Sequence, residues 1–289
     1  MSKGNIYLLS LDCEATGLSK YSDQITEIGL SIYEYTSGDG DGGTFRELES
    51  FREYARPTIV KMTRGALVVT GITNEFLKDK STIDVVLNNM MVHINKVCMN
   101  PNVERCLVAY NGIGYDLPLI VAELSRFTQP LQYFRRLRLS QIVDVLYWSK
   151  ERLDTTYLVR RSNGQCSYKL GDVYKVVCGK KLVGAHGALV DCRAVVDMLQ
   201  SIPFQPFLTD VLKPFCRPSL NDERPTKTRC SYLVNPISFV RTCVNTHDTK
   251  KNTKDRNQLS IVDMLQHLNS TKRKCNRTND QCNKKQKRL

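Results

Sequence analysis

Asp12 and Glu14 stand two residues apart where an apolar run, Ile6 to Leu11, comes to its end. Such a run reads as a short buried strand, and alternate residues of a strand share a face, so the two carboxylates converge. Two acids that close repel each other, and burying them is costly unless a cation pairs with them. Ala15-Thr16-Gly17 then supplies small residues and a tight turn, which lets another backbone approach. All the donors are carboxylate oxygens, which suits a hard cation of the magnesium type. Two carboxylates do not complete such a site. An isolated Asp-x-Glu also has a plain explanation as solvated acids at a strand end, so the question is what else the chain brings there.

Three further residues answer it. Asp116 falls just past a second apolar run, at the start of a helical pattern. Asp191 falls in the first turn of the last strong helical pattern, and His186 precedes it by five residues in the loop Gly184-Ala185-His186-Gly187. Singly, each is ordinary: an acid in a first turn complements the helix dipole, and a lone histidine is usually structural. Four acids and a histidine recurring at strand ends and helix starts are harder to explain separately.

The elements that must position them can be read from periodicity. Ile25 to Tyr33 is β-rich, with Glu27 embedded, and Ser50 to Arg56 gives a third strand ending at Pro57, so the chain opens as a three-stranded meander. Gly38 to Gly43 reads as an acidic, glycine-rich hairpin tip, although its aspartates could also take calcium. Thr70-Gly71-Ile72-Thr73 breaks two helical stretches. Ile83 to Val97 carries apolar residues at helical spacing, with His93 on its surface. Leu107 to Tyr110 is a fourth strand, followed by a helix to about Arg126 with Pro118 in its first turn. Ile142 to Tyr147 is a short strand or turn. Lys169 to Cys178 is a helix stopped by Gly179, and Ala188 to Leu199 is the final helix. Strands alternating with helices after a meander predict an α/β fold with a mixed sheet.

From Pro203 the pattern fails. Six prolines punctuate the stretch to Pro236, and one short helix is expected at 260–268, where Ser260 and Asp263 resemble a capping box. We therefore expect a domain at 1–205 and a C-terminal extension at 206–289, irregular and then disordered and basic from 270. The net charge of +13 is uneven: from Arg241 onward there are 13 Lys/Arg against 4 Asp/Glu. That suggests a polyanionic partner or a targeting signal. Lys272-Arg273 and Lys284-Lys285-Gln286-Lys287-Arg288 are spaced like a bipartite nuclear import signal, which would engage an import receptor. The 11 cysteines include no C-x-x-C pair, which argues against a zinc ribbon or a disulfide framework and for free thiols in a reducing compartment. No signal segment precedes Ile6, and no apolar run approaches the ~18 residues that span a bilayer. The expectation is an intracellular protein, nuclear or cytoplasmic, without a membrane anchor.

The ordered motifs resemble a family. Asp12-Cys13-Glu14-Ala15-Thr16-Gly17-Leu18, then Ala109-Tyr110-Asn111-Gly112 with Tyr115-Asp116-Leu117-Pro118, then Tyr168-Lys169-Leu170-Gly171, and finally His186 with Asp191 follow the pattern of the DEDDh (DnaQ-like) 3′→5′ exonucleases. Within it, the Trex (three-prime repair exonuclease) group is the most similar, and Thr70-Gly71-Ile72-Thr73-Asn74 resembles its G-I-T element. The resemblance covers about residues 5 to 202. There are departures: Tyr110 stands where the family usually has His, Ile113 and Gly114 replace polar or basic residues, and a proline-rich insert of one Trex branch is missing.

The resemblance implies a ribonuclease H-like fold with a mixed five-stranded sheet flanked by helices. It implies two Mg2+ ions, replaceable by Mn2+, held by Asp12, Glu14, Asp116 and Asp191. His186 would be the general base, a role that suits a side chain whose unperturbed pKa is ~6.5. Ala15, Leu18, Asn111 and Tyr115 would contact the terminal nucleotide, Leu18 as a wedge beside the last base. The implied substrate is single-stranded DNA or a DNA 3′ end, the implied product a 5′-mononucleotide, and the implied assembly a homodimer. Two alternatives stand beside this reading. One is a DEDDh exoribonuclease or a polymerase-proofreading exonuclease; the other is a catalytically dead relative that only binds nucleic acid.

Overall fold

The first strand carries its apolar side chains on both faces, which fixes it in the middle of a two-sided sheet. In the computed structural model, which describes residues 5–38, 42–212 and 232–246, β1 (Asn5–Ala15) is that strand. Ile6 and Leu8 enter one hydrophobic core, while Tyr7, Leu9, Leu11 and Cys13 enter the other. β2 (Ile25–Ser37) and β3 (Gly43–Tyr54) complete the antiparallel meander. β3 starts seven residues before the expected Ser50. It is an edge strand rich in exposed charge, so the apolar pattern that reveals a strand is missing there.

Two short helices, α1 (Arg64–Thr70) and α2 (Asn74–Leu77), flank Gly71, whose φ of 71° ends the first. α3 (Ile83–Val97) buries Val86, Leu87, Met90, Met91 and Ile94, the expected stripe. His93 is not the surface residue expected. It is half-buried, its ring 5.7 Å from that of Phe51, because α3 lies close against β3.

β4 (Glu104–Ala109) runs parallel to β1 and leads into α4 (Asp116–Leu124), with Pro118 in its first turn. α5 (Pro130–Leu137) follows, then β5 (Gln141–Asp144), parallel to β4. The strand expected to reach Tyr147 stops at Asp144. Its carboxylate accepts hydrogen bonds from the Leu146 and Tyr147 amides and so starts α6 (Val145–Arg152). A two-stranded ribbon of β6 (Val159–Arg160) and β7 (Cys166–Ser167) precedes α7 (Leu170–Val177) and α8 (Ala188–Leu199).

The sheet has six strands, in the order β3-β2-β1-β4-β5-β8. The sixth, β8 (Leu233–Val234), pairs antiparallel with β5 and comes from the stretch expected to be irregular. The resemblance implies five strands; this sixth leaves no mark in the sequence because two residues are too few to show a period. Apolar packing also runs past residue 205. Phe207, Leu208, Val211, Leu212 and Tyr232 are buried in the α8-side core, and Val240, on a helix at 236–246, is buried in the other. Met1–Val244 forms one compact unit, and Asn245–Leu289 is a second. The hairpin tip at 39–41, the helix expected at 260–268 and the basic tail at 270–289 lie outside the described residues.

One close approach sets the geometry at the carboxyl end of β1. A Cβ built at Gly29 would lie 2.3 Å from the carbonyl carbon of Ala188 and 2.4 Å from the amide nitrogen of Leu189. The first turn of α8 therefore rests directly on β2, at the residue paired with Asp12 of β1. Gly29→Ala should lower the urea midpoint by the equivalent of about 1–3 kcal/mol, the cost of overpacking, and move Asp191 away from Asp12. An unchanged midpoint would mean that α8 can slide on the sheet.

Candidate active site

The even-numbered face of β1 turns toward α8: the Ser10 hydroxyl donates to the Cys192 carbonyl at 2.9 Å. Asp12 and Glu14 follow on that face, and the register with β2 shifts between Glu14 and Ala15, whose partners are Glu27 and Ile25. Asp116, the first residue of α4 and 4% exposed, accepts a hydrogen bond from the Cys13 amide at 2.9 Å, which pins α4 to the strand. Asp191 accepts one from the His186 amide at 3.1 Å through Oδ2. Glu14, His186 and Asp191 bring ligand atoms within 4.8 Å of one another. The expected acids and the histidine thus meet at the carboxyl end of β1, although the sequence places them up to 180 residues apart.

The electrostatics of this cluster are those of a site that wants a cation. Burial, and then repulsion from Asp116, Asp191 and Glu14, holds the Asp12 carboxyl well above the usual carboxylate range. Burial raises Glu14 to about 8, with Asp191 the leading repulsive neighbour, and burial raises Asp116 to about 7 against the pull of the Cys13 amide. Asp191 is raised by burial as well. Its Oδ1 is buried without a hydrogen-bond partner among the described residues, which is unusual for a carboxylate oxygen. Oxygen donors, one imidazole, an orphaned oxygen and mutual repulsion together fit a hard divalent cation.

The chain also supplies acids that sequence reasoning did not assign. Glu27, opposite Glu14 on β2 and 1% exposed, pairs with the Arg52 guanidinium at 2.6 Å and adds to the negative potential. Asp144 accepts the amides of Asn111 and Ile113 at 3.0 and 2.9 Å and so shapes the loop before Asp116. Asp23 accepts the Thr16 hydroxyl and the Ser19 amide, closing the loop after Glu14. No spacing signals Glu27 or Asp144 for these contacts, because their partners are brought near only by folding, whereas Asp23 acts within its own turn.

The residues expected to touch a nucleotide sit on these two loops. Ala15 is buried at the strand end, and Leu18 at the loop tip is 94% exposed, an apolar side chain with nothing to cover it. Asn111 is exposed, in the left-handed region with φ of 68°. The Tyr115 hydroxyl donates to the Gly17 carbonyl and ties the two loops together. Tyr110 is no part of the cluster: its hydroxyl donates to the Tyr168 carbonyl at 2.7 Å, bracing the segment before α7.

The fold recurs among known proteins. Among solved structures, E. coli exonuclease I in complex with a dT13 oligonucleotide is similar, with a TM-score of 0.56 and 20% identity over 72% of this chain and 43% of that one. A zinc-ion-bound E. coli ExoI–ssDNA complex gives 0.55 and 20% identity over 72% and 42%, and a further exonuclease I structure 0.54 and 18% over 71% and 43%. The chain thus spans less than half the length of these neighbours, and the likeness shows the fold. No curated protein sequence matches the chain. The sequence model described as Exonuclease matches residues 9–199, from the middle of β1 to the last residue of α8. That span is more than half of the sequence and contains every acid of the cluster, so the chain belongs to the Exonuclease family.

Proposed function

We propose that the protein is a metal-dependent 3′→5′ exonuclease of the DEDDh type, akin to the Trex group, that releases 5′-mononucleotides from DNA 3′ ends. The observation that carries this reading is the cluster of Glu14, Asp191 and the exposed His186, with the orphaned Asp191 oxygen, beside Asp12, which Asp116, Asp191 and Glu14 repel, and Asp116, bonded to the Cys13 amide. The four acids would hold the cations. Two bound Mg2+ ions, or Mn2+, supply Lewis-acid charge for an in-line displacement at phosphorus.

The remaining work falls to the chain. His186 takes the proton of the attacking water, and its exposure leaves the imidazole free to meet solvent and substrate. Leu18 wedges beside the terminal base, Asn111 and Tyr115 line the opposite loop, and the Ala15 backbone faces the terminal nucleotide. Apolar wedging reads any base, so sequence preference is weak. The neighbours solved with dT13 and with single-stranded DNA support a single strand as substrate.

The test is digestion of 3′-labelled single-stranded DNA, duplex DNA and RNA with Mg2+, with Mn2+ and with chelator. Labelled mononucleotide released from DNA only with metal supports the proposal. Oligonucleotide products, release from the 5′ end, or faster release from RNA would overturn it in part or whole.

The basic tail is proposed as a nuclear import signal. Deleting residues 270–289 should move a tagged protein out of the nucleus and leave the exonuclease rate and its salt dependence as they were. A raised KM at low salt with a shallower salt slope would instead make the tail a holder of the strand by counterion release.

A further inference from the structure

Lys20 follows Leu18 by two residues and is half-buried. Its Nζ donates to the Gly114 carbonyl at 3.0 Å and lies 5.6 Å from the ring centre of Tyr21. It forms no ion pair with any described residue. The nearest acid in its own loop, Asp23, is taken up by Thr16 and Ser19. Burying an ammonium partway without a counter-charge costs free energy, and one carbonyl uses only one of its three donors. The loop it touches, Asn111 to Asp116, contains no cation of its own. Lys20 therefore brings to this point, from the neighbouring loop, a charge that the 111–116 loop does not carry.

Two cross-links fix where that charge sits. Tyr115 reaches from the second loop to Gly17, and Lys20 reaches from the first loop to Gly114. The ammonium is thereby held near Leu18 and Tyr115, beside the place where a terminal nucleotide would lie. Resting on the proposed exonuclease reading, we infer that Lys20 is a substrate-positioning residue whose ammonium binds a backbone phosphate of the strand next to the nucleotide being removed. A compact point charge suits a phosphate and carries no sequence information.

The experiment uses the full chain with Lys20→Met and Lys20→Arg. Binding of a 5′-fluorescein-labelled oligothymidylate is followed by anisotropy in calcium from ~50 to ~200 mM salt, alongside turnover in magnesium. Lys20→Met should weaken binding at low salt by a similar factor for any oligonucleotide sequence, as loss of a phosphate contact does. It should flatten the slope of log Kd against log salt by about 0.7, the share of one phosphate on a single strand. KM should rise by a similar factor, with kcat changed less than twofold, and Lys20→Arg should restore the slope. An unchanged slope, a fall in kcat without a rise in KM, or no binding by the wild type would overturn the inference, the second because Lys20 would then only brace Gly114. Lys20-dependent binding by a wild type that releases no nucleotide would sink the exonuclease reading, and with it the positioning role, while leaving the phosphate contact of Lys20 in place.

Discussion

Asp12→Asn should abolish nucleotide release and at the same time raise the melting temperature of the metal-free protein. The two effects have one cause. The Asp12 carboxyl keeps a little surface open to solvent, yet it is enclosed on the other sides and repelled by Asp116, Asp191, Glu14 and Glu27. An amide of the same shape removes the repulsion and also the oxygen donor. Loss of activity should exceed the ~10–100-fold that even the outer partners of metal ligands cost. The gain in stability should appear as a rise of at least about 2–4 °C in chelator, the shift that about 1 kcal/mol gives a domain of this size. Full activity, or a lower melting temperature, would show that the carboxylate is not held against its neighbours for a cation.

The same electrostatics fix a pH dependence. Glu14 and Asp116 titrate at about 8 and about 7 in the folded protein, against 4.5 and 3.8 ordinarily. Between those values the folded state binds more protons than the unfolded one, so stability falls as pH rises. In chelator the melting temperature should drop from pH 5 to pH 8.5, and saturating Mg2+ should flatten the curve, since bound cations take the place of the protons. A metal-free protein that grows more stable over that range would contradict the repulsive cluster.

His186→Asn should lower kcat by about 10²–10⁴, the usual contribution of a positioned general base, while the affinity for divalent cations stays near that of the wild type. Asparagine is the better probe than alanine because residue 186 has φ of 67°, a conformation Asn tolerates. The backbone amide of residue 186 still donates to Asp191, so the loop keeps its anchor. The measurements are single-turnover rates with saturating metal and, separately, metal titration by calorimetry. A loss of metal binding as large as the loss of rate would make His186 a ligand rather than a base, which its closeness to Glu14 and Asp191 permits testing directly.

What could be read from the residues alone was local. α3 and α8 were legible to the residue, because their apolar stripes recur at helical spacing. β1 was legible as a buried run, and the acids at 12, 14, 116 and 191, with His186, stood out by type and position. Their order along the chain was enough for the family resemblance. Only the tertiary structure decided the rest. It chose Asp144 and Glu27 as acids that shape the 111–116 loop and the field, since a carboxylate meeting distant amides or a guanidinium across the sheet leaves no period in the sequence. It placed Lys20 on Gly114, a contact between two loops with no common pattern. It drew Leu233, Val234 and Val240 back onto the sheet edge and core, where burial rather than propensity makes a strand of two residues stable. It also raised the acids above their usual range, because that shift depends on desolvation and on charges brought together from separate elements.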